Sequence, residues 1–202
     1  MISIKLFLSA LILVSAAMAA EAQVVGVATL SQGSSFYSVG AGISGVMQQK
    51  ANITTRVQPM SGPSVYLPIL NRGEVEFAIA QALDVTNSYL GVEAFNGRKN
   101  SELRLVGLVF VMPTGIAVPN DSPIKSLKDL KGVRMPGQFT AQAVMRLLQN
   151  AILATAGLST ADMKQFPVAD YLKGMASLGE GKVDAAMFCA GCAQTQIGRA
   201  HV

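Results

Sequence analysis

The sequence predicts an α/β protein of two similar lobes, with mainly parallel sheets and a cleft between them. Three observations predict it. Short β-branched runs alternate with stretches of helical spacing along the chain. LNRGEVEFAI (Leu70 to Ile79) aligns with LGEGKVDAAM (Leu178 to Met187). Both read Leu-x-x-Gly-charged-Val-acid-x-Ala-apolar: a helix end, a glycine turn and a strand. Upstream of these, ATLSQGSSFYSVG and RMPGQFTAQAVM each read as strand, glycine loop and helix. Two matches in the same order argue for paired units, residues 23–112 and 113–195, and paired units enclose a cleft.

The elements follow in order. VVGVAT (Val24 to Thr29) is a short β-branched run and so a strand. Phe36 to Lys50 carries Tyr37, Val39, Ile43, Val46 and Met47 at helical spacing. ITTRVQ (Ile53 to Gln58) alternates as a second strand, Pro59 to Gly62 turns, and Pro63 to Asn71 reads as a helix ended by Gly73. VEFAIAQ (Val75 to Gln81) and Leu103 to Met112 are the next strands, and GIAVP (Gly115 to Pro119) continues extended. SPIKSLKDLKG is a turn and a short helix, and GVRMPG a strand and turn. Thr140 to Ala156 is the strongest helix, with Val144, Leu147, Leu148, Ile152 and Leu153 on one side and Gly157 as its stop. MKQFPV is a strand, Ala169 to Leu178 a helix, and VDAAMFCA a strand.

The two ends stand apart from this pattern. Lys5 precedes the apolar run Leu6 to Val14 and a stretch of small residues, and Ala20-Glu21-Ala22 fits a small-x-small cleavage site. Residues 1–22 are expected to be a secretory signal peptide, with Ala17-Met18-Ala19 as a second cleavage choice, and the mature protein to be periplasmic. The alternative, a membrane anchor, needs a longer apolar run of about 20 residues. At the other end, Ile197 to Val202 can be encoded by ATC GGA AGA GCA CAC GTC, a common sequencing-adapter read. Residues 196–202 are therefore expected to be a non-native tail, and His201, the single histidine, is given no chemical role.

Of the 202 residues, half are hydrophobic and 14% charged, with a formal net charge of +4. The charges form no block of the kind that marks a nucleic-acid binder. The mild basic balance fits an anionic ligand or plain solubility.

In open α/β sheets, ligands sit beyond the C-terminal ends of the strands. Thr29 ends the first strand, and the loop after it carries Ser34, Ser35, Phe36 and Tyr37 ahead of a helix. A helix N-terminus offers unpaired N–H groups and partial positive charge to an anion. The competing reading is simple N-capping by a serine, worth about 1 kcal/mol. The loop lacks the Walker pattern and the Gly-x-Gly-x-x-Gly spacing, so a nucleotide cofactor is disfavoured. In the second lobe, Gly137, Gln138 and Thr140 supply the facing loop. Arg134 points either into the cleft, where it pairs with an anion, or to the surface. Gln81 and Asp84 follow a strand end and face the cleft, or Asp84 caps a turn.

Cys189 and Cys192 form a Cys-x-x-Cys, read as a structural disulfide, as two separate thiols, or as the redox pair of an exported oxidoreductase. No Ser-His-Asp set, catalytic carboxylate pair or metal cluster can be assembled without His201, so neither an enzyme, a cofactor nor a metal is expected.

GSSFYSVG, SGPSVYLPILNRGEVEFAIAQ, SPIKSLKDLKGVRMPG and GKVDAAMFCAG, together and in order, resemble the TAXI family. These are the extracytoplasmic solute receptors of TRAP transporters. The resemblance runs from about Val24 to Gly191 and implies the type II periplasmic-binding-protein fold. The family's first loop usually reads Gly-Gly-Thr-Tyr-Tyr-Pro, and Ser34, Ser35, Phe36 and Ser38 depart from it. Pro63 and Tyr66 stand where the second motif usually has Ser and Asn. The resemblance implies a small anionic or zwitterionic solute, a carboxylate or an amino acid, captured by lobe closure and passed to TRAP-type permease subunits. Ser61, Gly62 and Ser64 would line the first lobe with Gln81. Ala190 and Gly191 would close from the second, with the hinge near Val111 to Gly115. Family members are longer and return to the first lobe after the second, so the natural chain is expected to continue. An ATP-driven importer served by the same fold, an exported thiol oxidoreductase and a sensor or adhesin module are the alternatives.

Overall fold

The computed structural model describes residues 24–189. The expected signal peptide, Ala190, Gly191, Cys192 and the expected non-native tail lie outside that range. Seven strands and five α-helices follow in the order β1 (Val25–Leu30), α1 (Ser35–Ala51), β2 (Thr55–Met60), α2 (Pro63–Asn71), β3 (Phe77–Ala78), α3 (Ala82–Leu90), β4 (Thr114–Ala117), β5 (Arg134–Gly137), α4 (Val144–Ala154), β6 (Lys164–Pro167), α5 (Tyr171–Gly179) and β7 (Ala186–Cys189).

The first sheet runs β2-β1-β3, all parallel. β1 is its centre, and its last five residues are buried. Parallel neighbours need a crossover, which α1 and α2 supply. Gly40 lets α1 lie close on β1, because a Cβ there would come within 2.6 Å of Thr29 Cγ2. In the second half, β5 and β6 pair parallel, and β4 and β7 pair antiparallel. The Asp184 N–H donates to the Arg134 carbonyl, which joins β5 to the chain entering β7.

The repeat read in the sequence is a repeat in space. Gly73 and Gly181 both sit in the left-handed region, at φ 73° and 70°. Each closes a helix, Gly73 N–H onto Leu70 O and Gly181 N–H onto Leu178 O. The acid of the repeat has one job in both halves. The Glu76 carboxylate accepts from Gly26 N–H at the start of β1, and Asp184 accepts from Arg134 N–H at the start of β5. A carboxylate on a backbone N–H makes a charge-assisted hydrogen bond, and each acid thereby fixes the neighbouring strand's register.

A single buried cluster crosses between the halves: Leu30, Phe36, Tyr66 and Leu67 from the first, Phe139, Val144, Met145 and Tyr171 from the second. A smaller cluster of Leu130, Met135, Leu153 and Met163 lies wholly within the second.

Four expectations change. Leu103 to Met112 is not a strand. Residues 104–113 form no regular element and pair with no described strand, because a strand needs a partner as well as an apolar sequence. The strand expected over Val75 to Gln81 shortens to Phe77–Ala78. The helix expected from Thr140 begins at Val144, because the preceding loop takes a tight turn. Helix α3 was not anticipated; ALDVTNSYL mixes β-branched and polar residues, and its clearest helical mark is the Gly91 stop at φ 74°.

Candidate functional site

Parallel order in the first sheet puts the C-terminal ends of β1, β2 and β3 on one rim. From that rim start α1, α2 and α3. Three helix N-termini, each a source of N–H donors and partial positive charge, thus share one edge. Opposite lies the loop after β5, residues 138–142.

Each helix starts differently. Ser34 is buried and caps α1, its Oγ accepting from Tyr37 N–H at 3.1 Å. The hydroxyl that sequence reasoning offered to a ligand is used as a helix cap. Ser35 Oγ lies 3.9 Å from Cys189 Sγ. Phe36 is buried and packs edge-on against Phe110, ring centroids 5.6 Å apart. Tyr37 is half-buried, and its hydroxyl accepts from Gln32 Nε2 at 3.1 Å. Thr29 is buried beneath the loop and donates to the Leu30 carbonyl.

α2 starts at Gly62 with Pro63 in its first turn, where a missing N–H costs nothing. Ser61 is exposed beside it. Ser64 Oγ reaches across and donates to the Ala141 carbonyl at 2.7 Å. Gly62 packs on the same group, and a Cβ there would overlap the Ala141 carbonyl oxygen. The two rims therefore touch backbone to backbone, and glycine makes that approach possible. Arg146 of α4 and Glu93 form a second bridge between the halves at 2.8 Å.

α3 starts at Gln81, which is half-buried, and Asp84 lies in its first turn. Asp84 turns inward with Asn87 and Ser88 and is only 5% exposed. Its Oδ2 has no hydrogen-bond partner among the described residues. Burial pushes its carboxyl up to about 7. Beside α3, Tyr66 is fully buried; its hydroxyl donates to the Ile79 carbonyl at 2.8 Å, and burial, then the Asp84 charge, raise it well above the usual phenol range.

The facing loop is strained. Phe139 N–H donates to Gly137 O at 2.8 Å around Gln138, which sits at φ 65°, and Phe139 follows at φ 43°. A three-residue turn with a positive central φ is the rare, strained form. It is held from behind by Thr140 N–H on Val168 O, Ala141 N–H on Ala169 O, and Gln142 Oε1 accepting from Tyr171 N–H. Gln142 is buried, and its Nε2 donates to nothing among the described residues. Gly137 lies against Gln165, and Gln138 and Thr140 are exposed.

Of the residues named from the sequence, the structure brings Gly62 and Ser64 onto the 138–142 loop. It places Phe36 and Gln81 on an apolar cavity of about 650 Å³ between α3, the 105–112 segment and α4. Arg134 lies elsewhere. It opens β5, at the end of the strand away from the rim, and forms a two-pronged ion pair with Asp184 at 2.5 and 3.0 Å. That pairing is the surface alternative for Arg134, and the hydrogen bond from Arg134 holds Asp184 below the usual carboxylate range. Sequence reasoning missed Ala141, because a carbonyl contributes without a side-chain signature. It also missed Gln142, whose only signal was a polar residue on the loop's buried side.

Cys189 is disulfide-bonded and buried at the end of β7, its partner lying outside the described residues. A redox-active cysteine needs partial exposure, and this one is 3% exposed. Among the described residues no three His, Cys, Asp or Glu side chains are grouped to hold a metal, and no helix is long and apolar enough to cross a membrane.

The sequence pattern of the NMT1-like family matches residues 27–201. The chain belongs to that family. None of the curated proteins matches it by sequence. Among solved structures, this NMT1-like chain is similar to the alkanesulfonate-binding protein SsuA from Xanthomonas axonopodis pv. citri bound to MOPS, with 22% identity and a TM-score of 0.54 over 83% of this chain and 54% of that one. It is similar to holo ArgBP from T. maritima, with 12% identity and a TM-score of 0.58 over 88% and 74%. It is also similar to the substrate binding protein of an amino acid ABC transporter, with 16% identity and a TM-score of 0.56 over 89% and 75%. At such identities the likeness establishes the fold: α/β, of the type II periplasmic-binding kind. These neighbours are binding proteins rather than enzymes. The chain spans about half the length of the alkanesulfonate-binding protein, 54%.

Proposed function

We propose that this NMT1-like chain is an extracytoplasmic solute-binding receptor that captures a small carboxylate or amino acid between its two rims. The observation that carries this reading is the convergence of three helix N-termini on the rim that meets the strained 138–142 loop. Helix N-termini favour an anionic group, and a backbone held in strain by its surroundings marks a preorganised contact. The ligand's acid group would meet the first turns of α1 and α2 near Ser35, Ser61 and Ser64. Closure would bring Gln138 and Thr140 over it, and Ala190 and Gly191 belong to the same reading. Lobe motion about Val111 to Gly115 supplies the two states such a receptor needs.

The TAXI resemblance supports delivery to a TRAP-type permease. The likeness to the substrate binding protein of an amino acid ABC transporter favours a second reading, in which the same receptor serves an ATP-driven importer. Genes adjoining the locus separate the two.

The binding test is a thermal-shift and calorimetry series on the exported protein with glutamate, arginine, pyruvate and MOPS. A true ligand at 100 times its Kd stabilises the fold by about 2.7 kcal/mol. Stabilisation by a carboxylate or amino acid, weakened by Ser64→Ala, is the expected result. No shift with any of the four, nor with a wider set of small organic acids, overturns the proposal.

A further inference from the structure

The chain leaves α3 through a short 3-10 turn, Glu93–Phe95, and the backbone around it is tightly wound. Gly91, Glu93, Asn96 and Gly97 all take positive φ, at 74°, 51°, 50° and 81°. Gly97 N–H donates to Gly91 O at 2.7 Å, Arg98 N–H donates to Phe95 O at 2.9 Å, and Phe95 is buried in the cluster shared by both halves. Glycine and asparagine suit the left-handed region, whereas a glutamate there is uncommon. A residue held in such a conformation by its surroundings points to a function for it. Here the turn fixes Glu93 where its carboxylate meets Arg146 of the second half at 2.8 Å.

Arg146 is also at odds with its own segment. It lies in the first turn of α4, where a cation faces the partial positive charge of the helix N-terminus. α4 has no side-chain cap and no acidic residue in that turn. Glu93 supplies, from the other half, the negative charge that this helix start lacks. Each partner sits where its own segment disfavours it, and the contact between the halves offsets both. The pair coexists with the Ser64 to Ala141 hydrogen bond, so it belongs to the arrangement in which the rims touch. Ala141 and Arg146 are near neighbours in the chain, so a motion that parts the rims moves Arg146 too. Glu93 lies past the far end of α3, a helix of nine residues that starts at the rim and runs about 14 Å from it.

We propose that Glu93 and Arg146 form a closure latch, an ion pair away from the first rim that favours the closed arrangement of the two halves and so tunes solute affinity without touching solute. The effect on affinity rests on the receptor reading above, whereas the effect on the halves needs no solute. The side chains are 48% exposed at Arg146 and 37% at Glu93, so water and salt screen the pair. Its effect is a modest shift of the closed-to-open ratio, about two- to five-fold. A receptor that holds solute only when closed passes up to the same factor into its Kd.

Spin labels at Val46→Cys on α1 and Lys128→Cys in the second half, both exposed positions, read the separation of the halves with no solute present. At low ionic strength, Glu93→Gln and Arg146→Gln should each shift the closed-to-open ratio toward open by about two- to five-fold. The charge exchange, Glu93→Arg with Arg146→Glu, should close the halves again. Parent and single variants should converge as salt rises to about 1 M. In calorimetry with whichever of glutamate, arginine, pyruvate or MOPS binds, Kd should rise by up to the same factor in each single variant and return in the exchanged pair. Unchanged label distances in both single variants overturn the latch, as does an exchanged pair no more closed than either of them. Halves that shift while Kd stays fixed overturn its tie to affinity. If none of the four solutes binds the parent, the receptor reading falls, and the label distances still decide the latch.

Discussion

The loop after β1 and the loop after β5 begin as counterparts, each a strand, a glycine turn and a helix, and end in opposite mechanical states. The first is relaxed. Gly33 takes the positive φ of 89°, Ser34 caps the helix, and α1 starts at once with Ser35. The second is strained. Its positive φ values fall on Gln138 and Phe139 rather than on glycine, and its helix starts only at Val144, with no side-chain cap. The difference teaches where stability and function are placed. The first loop satisfies its own helix end locally, through Ser34. The second holds a carbonyl at Ala141 out toward the first, at a conformational cost met by hydrogen bonds that Thr140 and Ala141 N–H donate to the Val168 and Ala169 carbonyls and that Gln142 Oε1 accepts from Tyr171 N–H.

The largest effect expected concerns the one costly group on the first rim. Asp84 has a folded-state carboxyl raised to about 7 from 3.8 by burial. The folded protein therefore binds the proton more tightly than the unfolded chain. Asp84's contribution is most favourable below about pH 4, falls between pH 4 and 7, and is flat above 7 once both states are ionised. The full difference is about 4 kcal/mol. Asp84→Asn should remove that slope, so the variant exceeds the parent in stability most at pH 8. Urea unfolding at pH 4 and pH 8, taken as the difference between the two proteins, checks this and cancels the exposed carboxylates. A parent and variant with parallel pH profiles would show that Asp84 finds a partner in solution, and that the first rim is as relaxed there as at Ser34.

Next comes the contact between the rims. Gly62→Ala places a Cβ on the Ala141 carbonyl oxygen, a backbone atom that can yield only if the rims part. Overpacking of this kind costs about 1–3 kcal/mol. The variant should favour the open arrangement, with a larger radius of gyration in X-ray scattering and weaker solute binding. Unchanged scattering and affinity would mean that the Ser64 to Ala141 contact is not part of the working receptor.

Much of the first rim was legible in the sequence because its signals are local. Ser34 before an apolar-periodic run predicts a cap, and Gly73 and Gly181 after such runs predict helix ends. The Glu76 and Asp184 repeat was visible as a pattern, but its meaning was not, because a carboxylate gripping a strand 50 residues earlier is a long-range fact. The second rim was illegible for a related reason. Nothing in Gln138-Phe139 announces positive φ, a conformation imposed by the strands behind it. Residues 105–111 carry a strand's sequence without a partner among the described strands, and sequence reads only the first of these.

Ser34→Ala tests the relaxed loop by itself. The buried Oγ accepts from Tyr37 N–H, and its loss leaves that donor unsatisfied. The expected cost is about 1 kcal/mol, within the 0.5–2 kcal/mol range of cap deletions, read as a lower midpoint in urea with an unchanged m-value. A loss near zero would mean that water replaces the cap, and that the first loop is open enough to hold a ligand there directly.

Gln138→Gly should have the smallest effect on stability and the most to say about the comparison. Glycine relieves the positive φ at 138 but adds freedom to the unfolded chain, and each term is about 1 kcal/mol. The two nearly cancel, leaving a change within about 0.5 kcal/mol by urea unfolding. Gln138→Val, β-branched at φ 65°, has no such compensation and should destabilise clearly. Solute affinity separates the roles of the loop. If its strain preorganises the second rim, Gln138→Gly weakens binding while stability holds, because a looser turn must be ordered again when the rims close. If affinity and stability both stay put, the turn is only a way of routing the chain from β5 to α4, and the asymmetry between the two loops has no bearing on capture.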